Sequence, residues 1–502
     1  MPGIKKHPAM HILLISPAYP DTYWSFRHAL KFVSKKAASP PLGLLTIASM
    51  LPASWERKLI DLNVHPLEES DLLWADYVFI GAMSVQSESA NQVVERCQNM
   101  DKIIVAGGPL FTGDPEAWAH IDHLVLNEAE ITLPCFLSDL EKGCPQKIYQ
   151  TDTFADIQSS PPPDYSLVSA SDYAQLSLQY SRGCPYDCEF CEITALLGRK
   201  VRLKSTSQVV RELDIIFQTG FRGNLFFVDD NFIGNRKRLK QELLPAIARW
   251  NRDHRYPYTF TTEASIDLSD DAELMHAMAF AGFEKVFVGI ETPDEASLKE
   301  CNKRLNTGRD LLESVSAIQS AGIEVSAGFI VGFDNDTSTI FQRQIDFIQQ
   351  SGIITAMVGL LNAPSRTRLY KRLMKEGRIL QTADGDNTNY NMNFIPKMNP
   401  EVLLKGYKKI VHNIYSSKAY YERLKGFLKH FRPGATNRAR VNRENMMALL
   451  RSVFYLGILD KSRKYYWRLL FWSLSRRPDV FPLAVTYSIY GYHFRKVYRI
   501  DT

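Results

Sequence analysis

The sequence predicts an α/β protein made of two successive parallel βα series followed by a mainly helical region. Three observations carry this. Short apolar runs alternate with helix-length amphipathic stretches over the first 150 residues, a second such series begins near Ser177, and strand signals fade after Pro364. A chain of 502 residues exceeds what one hydrophobic core usually organises, so two or three domains are expected.

In the first series the strand candidates are Ile12 to Ser16, Arg57 to Asp61, Tyr77 to Gly81, Ile103 to Ala106 and His123 to Leu126. Buried strands separated by amphipathic helices imply a parallel sheet covered on both faces, so residues 1–150 are expected to form a Rossmann-like or flavodoxin-like domain. Between Ile148 and Tyr173 the pattern lapses into Thr, Asp, Ser and the run Pro161-Pro162-Pro163. Fixed φ and missing amide donors forbid regular structure there, and residues 151–175 are read as a linker.

The second series offers Leu176 to Tyr180, Asn224 to Asp229, Tyr258 to Glu263, Lys285 to Glu291, Glu324 to Val331 and Ile354 to Leu360. Six strands with intervening helices suggest an open, partial (β/α)6 barrel over residues 176–365, with reactive groups at the C-terminal strand ends. Residues 366–502 read as a mainly helical C-terminal region rich in Tyr, Trp, Lys and Arg.

Composition fits an ordinary globular protein, with 45% hydrophobic and 23% charged residues. No apolar run is long enough to cross a bilayer, and Lys5, Lys6 and His7 before the short run Ile12 to Ile15 look unlike a cleaved signal. Seven cysteines, an odd number with only three clustered, argue against a secreted disulfide framework and for a reducing, cytoplasmic location. The net charge of +5 conceals an asymmetry: residues 401 to 502 carry 21 Lys and Arg against 6 Asp and Glu. Between 461 and 499 these basic residues interleave with Tyr465, Tyr466, Trp467, Phe471, Trp472, Tyr490 and Tyr492. Such a mixture suits peripheral contact with an anionic membrane, and a solvated face packed on the barrel uses the same residues. No nucleic-acid recognition motif accompanies the charge, so nucleic acid is not an expected partner.

Directly after the first barrel strand, residues 179 to 193 contain Gly183-Cys184-Pro185-Tyr186-Asp187-Cys188-Glu189-Phe190-Cys191. Three thiolates within eight residues converge on one metal cluster only if the backbone loops around it, which Gly183 and Pro185 favour. A [4Fe-4S] cube held by three cysteines leaves one iron open. The competing reading is a structural zinc or Fe-S site, but structural zinc prefers four closed ligands and no fourth Cys or His stands nearby in sequence.

The motif resembles the signature of the radical S-adenosylmethionine (SAM) superfamily, Cys-x3-Cys-x2-Cys with an aromatic residue, here Phe190, before the last cysteine. The resemblance implies that Cys184, Cys188 and Cys191 are both metal ligands and the catalytic centre, and that SAM chelates the open iron and is cleaved to a 5′-deoxyadenosyl radical. It further implies that Asp229 and Asp230 stand where the family binds the SAM amino group, although the usual glycines are missing. Glu263 and Glu291 resemble ribose-contacting positions, and Gly328, Ile330 and Gly332 resemble the backbone ridge beside adenine. Any one of these alone could be a helix cap or a solvated carboxylate; together they occupy successive strand ends.

In a doubly wound sheet, ligands sit beyond the carboxyl ends of the strands. Ser84-Val85-Gln86, Gly107-Gly108-Pro109 and Asn127-Glu128-Ala129-Glu130 lie at three such ends. A lone Gly-Gly is more often just a turn. Upstream of a radical SAM barrel, however, the pattern resembles the cobalamin-binding radical SAM methylases, with Asn127 in place of the first glycine of a Gly-Glu-x-Glu element. That resemblance implies Ser84, Gln86, Gly107, Gly108, Pro109, Glu128 and Glu130 as cobalamin-binding residues. The Asp-x-His-x-x-Gly motif of many cobalamin carriers is absent, and His65 is read as a loop or core histidine.

The subgroup that includes the hopanoid C-2 methylases is similar over roughly Ile12 to Leu428, including Tyr19 to Trp24 and Val358 to Ala363. Membership implies methyl transfer to an unactivated carbon of a small-molecule or lipid substrate, with an external electron donor of flavodoxin or ferredoxin type. Two alternatives stay open from sequence: a cobalamin-dependent radical rearrangement or cyclisation without methyl transfer, and a non-catalytic Fe-S or corrinoid-binding protein.

Overall fold

The computed structural model describes residues 10–386, 388–434 and 443–500; Lys5, Lys6 and His7 lie outside this range. The first sheet has six parallel strands, β1 (His11–Ser16), β2 (Glu56–Asp61), β3 (Tyr77–Gly81), β4 (Ile103–Gly107), β5 (His123–Val125) and β6 (Ile148–Tyr149), in the order β2-β1-β3-β4-β5-β6. The central runs of β1 and β3 are apolar on both faces because helices cover both sides of the sheet. Chain direction across the sheet reverses between β1 and β3, which opens a crevice at their C-terminal ends, as in flavodoxin-type folds. The short edge strand β6 carries too few residues to show a period and was not anticipated.

Between the two sheets the chain forms short 3-10 turns, among them Ile157–Ser159, Tyr165–Leu167 and Ala170–Asp172. The second sheet comprises β7 (Gln175–Leu178), β10 (Gly223–Phe227), β11 (Tyr258–Glu263), β12 (Phe283–Glu291), β13 (Glu324–Val331) and β14 (Ala356–Leu360), all parallel and in sequential order. A small antiparallel pair, β8 (Ser181–Arg182) with β9 (Arg202–Leu203), frames the cysteine loop. Two-residue strands leave no pattern to read, so this pair too went unseen in the sequence.

β7 and β14 do not pair, so the barrel is open, and both free edges need cover to satisfy their backbone groups. At β14, the hydroxyls of Tyr415 and Tyr407 donate to Ala356 O at 2.7 Å and to Val358 O at 3.2 Å. At β7, Gln175 N donates to Ala38 O at 3.0 Å, and the Tyr165 hydroxyl donates to Ser177 O. The helix Phe481–Val497 packs against the N-terminal segment beside Tyr415, which caps β14: Phe494 stacks on Tyr23 at 4.4 Å, and His493 Nε2 donates to Tyr23 O at 3.0 Å. The same helix closes the barrel floor, where Lys285 pairs with Glu324 at 3.3 Å and faces the rings of Tyr487 and Tyr490.

Candidate active site

The cysteine loop is shaped by its backbone before any ligand is considered. Gly183 takes φ +89°, and a Cβ there would lie 2.7 Å from Lys200 O, so only glycine fits. Cys184 N donates to Gly198 O at 3.2 Å, and Cys191 N donates to Cys188 O at 3.2 Å. The loop's outer side is held from two directions. Asn302 donates to Asp187 O at 2.8 Å and Glu189 N donates to Cys301 O at 2.9 Å, while Arg372 binds the Glu189 carboxylate at 2.8 Å.

All three cysteines are free and half-buried. Burial pushes their thiols up, Cys191 to about 12, while nearby Lys303 pulls them down. Thiols in this setting become thiolates when a metal replaces the proton. Among the described residues no three His, Cys, Asp or Glu side chains converge closely enough to chelate a single metal ion. Ligands that grip separate corners of a cube need no such convergence, and the three thiols without a fourth fit a cluster with one open iron.

The two aspartates after β10 diverge. Asp229 accepts from Tyr180 N at 3.0 Å and from both the N–H and hydroxyl of Ser181, so it fastens the strand that leads into the cysteine loop. Asp230 has one buried carboxylate oxygen, Oδ2, with no hydrogen-bond partner. Burial raises Asp230 to about 6, Asp229 to about 7 and Glu263, which also faces both aspartates, to about 8. An unpartnered buried carboxylate oxygen suits a cationic ligand group such as the SAM ammonium.

Glu291 sits at φ +63°, an uncommon conformation for a non-glycine residue, at a register shift between β12 and β13. Its carboxylate meets Lys303 at 2.7 Å, and this pair lies over Gly289, where a Cβ would come within 2.3 Å of Glu291 Oε1. Burial opposes the charge on Lys303, yet Glu291 holds it above the ordinary lysine range. Lys303 went unseen in the sequence: a lysine in a short loop looks solvated until the fold brings it beside the cysteines.

On β13, Gly328 faces the Phe287 ring, and a Cβ there would lie 3.0 Å from Phe287 Cζ, so the ring would have to give way. Ile330 O accepts from Gln344 at 2.7 Å. Gly332 takes φ +111°, and Asp336 receives the N–H groups of Gly332 at 2.8 Å and Phe333 at 3.1 Å. Phe190 packs edge-on to Phe333 at 6.3 Å, which places it beside this ridge. Below the ridge, the indole N–H of Trp24 lies 3.0 Å from Met357 Sδ and its ring meets Phe287 edge-on at 5.3 Å.

At the first sheet's C-terminal edge, Gly108 takes φ +97° with no room for a Cβ beside Ala82 O at 3.0 Å, and Pro109 starts a short helix. Asn127 occupies the left-handed region at φ +63°, a conformation that glycine and asparagine adopt more readily than other residues. Ser84 abuts Gly385, and Gln86 is buried, its amide oxygen accepting from Met83 N at 2.9 Å and its amide N–H donating to Pro17 O. Gly107 is held to glycine by the sheet itself, since a Cβ there would lie 2.6 Å from Val125 O. The edge faces the barrel: Ser365 donates to Gly113 O at 3.1 Å.

Glu128 and Glu130 have a further part that sequence did not suggest. Arg182, two residues before Cys184, binds Glu128 at 3.1 Å and Glu130 at 2.8 Å, and Arg202 binds Glu128 at 2.7 Å. The carboxylates therefore clasp the first sheet to the β8/β9 pair. His65 lies 3.7 Å from Asp172 and half-exposed, a loop histidine as read from sequence.

Residues 33–137 match the B12 binding domain, residues 178–348 the radical SAM superfamily and residues 367–501 a domain of unknown function (DUF4070). An uncharacterized methyltransferase of Synechocystis sp. is 39% identical over 97% of this chain and 91% of its own length. The hopanoid C-2 methylase of Rhodopseudomonas palustris is 33% identical over 93% of this chain and 89% of its own. The solved structure of the cobalamin-dependent S-adenosylmethionine radical enzyme OxsB with aqua-cobalamin shares the fold, with a TM-score of 0.63 at 16% identity over 97% of this chain and 80% of that one.

A corrinoid-binding sheet followed by a three-cysteine barrel defines a cobalamin-dependent radical SAM enzyme. The chain belongs to the methyltransferase family that includes the hopanoid C-2 methylase. It is a C-methyltransferase acting on an unactivated carbon, with a [4Fe-4S] cluster, SAM and cobalamin as cofactors.

Proposed function

We propose that this methyltransferase acts on an apolar, lipid-class substrate seated in the barrel lumen between Trp24 and the strand ends near the cysteine loop. The observation that carries the reading is the lumen wall, where Trp24, Phe287 and Met357 meet directly below the Gly328 ridge. The hopanoid methylase among the relatives supports the same class.

When bound, the cofactors supply the carbon radical and the methyl group. The chain's residues do the rest. Cys184, Cys188 and Cys191 hold the cluster; Asp230 receives the SAM ammonium; Glu263 and Glu291 orient the ribose, Glu291 steadied by Lys303. Gly328, Ile330, Gly332 and Phe190 border the adenine. Ser84, Gln86, Gly107, Gly108 and Pro109 line the corrin, and Asp229, Glu128 and Glu130 act by positioning. The working division is 1–150, 151–175, 176–365 and 366–502. The electron donor is of flavodoxin or ferredoxin type, and the enzyme works in the cytoplasm with peripheral membrane contact.

The test uses anaerobically reconstituted, reduced enzyme with SAM labelled in its methyl group and a lipid extract. The expected result is label in the lipid fraction together with 5′-deoxyadenosine and S-adenosylhomocysteine, all lost in Cys191→Ala. Label appearing only in a water-soluble product would reject a lipid substrate.

A further inference from the structure

We propose that the outward face of the C-terminal helical hairpin, residues 443 to 476, docks on an anionic lipid bilayer. This deepens the membrane contact proposed above and rests on it. The hairpin consists of the helix Arg443–Ser452, its π-helical continuation Val453–Leu459, and the returning helix Arg463–Arg476. Its two arms are locked by Trp467, whose indole N–H donates to Gly457 O at 3.0 Å.

Each arm has an inner face that packs on the protein. Ala448, Ser452 and Leu456 are buried on one arm, and Tyr466, Leu469 and Leu470 on the other. Each also has a second apolar face turned outward. Leu450, Phe454 and Ile458 recur every fourth residue along the first arm, Phe471 and Leu474 follow Trp467 on the second, and all five are more than half exposed. With Trp467 fixed beside Gly457, Phe454 and Phe471 each lie within four residues of the point where the two arms touch. A helix that is apolar outside as well as inside has an unfilled contact, and a contiguous exposed patch marks an interaction surface.

The charge decides what fills it. Residues 443 to 477 contain eight Lys and Arg against two acidic residues, and Arg443, Arg463, Lys464, Arg468 and Arg476 are exposed. Apolar side chains bordered by cations complement an anionic headgroup layer over an acyl interior. No described helix is long and apolar enough to cross a membrane, so the hairpin lies on the surface. The aromatic residues that suggested membrane contact from sequence are mostly engaged elsewhere. Tyr466 is fully buried on Ser452, Tyr490 packs on Phe26, and Tyr492 receives Lys31. The docking face shares Phe471 and the basic residues Arg463, Lys464, Arg468 and Arg476 with the set read from sequence, and adds Leu450, Phe454, Ile458 and Leu474.

The test is co-sedimentation of the full chain with phosphatidylcholine vesicles with and without phosphatidylglycerol, at low and high salt. The expected result is binding that needs the anionic lipid, weakens with salt, and falls by about tenfold or more in the double variant Phe454→Glu, Phe471→Glu. The variant should keep the parent melting temperature and its 5′-deoxyadenosine formation, which separates loss of docking from loss of the methylase. If the acidic pair unfolds the chain, Phe454→Ser with Phe471→Ser is read instead. Undiminished vesicle binding by a folded variant overturns the proposal, as does absence of binding by the parent chain. Self-association in solution that the same substitutions abolish assigns the face to a second copy and overturns it too.

Discussion

Asp229 commits both carboxylate oxygens to Tyr180 and Ser181, whereas Asp230 keeps Oδ2 without a protein partner, so the two substitutions should separate. Asp229→Ala strands buried donors and is expected to destabilise the fold by about 3 kcal/mol, read as a lower melting temperature. Asp230→Ala should melt like the parent but bind SAM roughly tenfold more weakly by calorimetry. His493 gives a pH signature of its own. Burial lowers its pKa to about 4, with the Tyr23 carbonyl only partly opposing. The unfolded chain therefore takes up the proton first, and the stability that neutral His493 supports is whole above pH 6.5 and is lost as pH falls toward 4, by roughly 3 kcal/mol. Replacing His493 by Gln should flatten that part of the stability profile in a pH series of unfolding curves. At this scale the cysteine trio was legible because its spacing is local. Lys303 and the separate duties of Asp229 and Asp230 were not, since a side chain's partner is fixed only by the fold.

The elements that couple the two sheets are the β8/β9 pair and the turn after β5. Arg182 and Arg202 reach back 54 and 74 residues to Glu128, and Arg182 holds Glu130, lowering that carboxyl to about 2 against the opposing effect of burial. Removing one partner of a buried ion pair is far more damaging than removing both, because it leaves an unpaired charge. Arg182→Met is expected to destabilise by about 3–5 kcal/mol, and adding Glu130→Met should recover part of it, measured as a double-mutant cycle. Equal losses in the single and double variants would show that the clasp carries no coupling. The strands of both sheets were readable from apolar runs, whereas β6, β8 and β9 were not. The Glu-x-Glu element was visible as a motif, but its arginines lie too far along the chain for any local pattern to join them.

Across the whole molecule, the C-terminal helices belong to the barrel. Tyr407 and Tyr415 cap the backbone of β14, and Tyr487 and Tyr490 cover Lys285 at the floor. Ending the chain at residue 430 should therefore abolish cooperative unfolding of the barrel rather than release a stable two-domain core, as differential scanning calorimetry would register. An intact barrel transition in that fragment would show the helices beyond residue 430 to be dispensable. The fold order was legible in the sequence, yet this dependence was not, because helices of ordinary composition give no sign of what they cover.

Tyr23 and Phe494 stack on each other although nearly the whole chain separates them. During synthesis, the earliest of these rings must wait for the latest before the barrel's flank can shut, a closure of very long sequence separation and correspondingly slow. The oldest and the newest parts of the chain thus share one seam, and that seam is expected to close last.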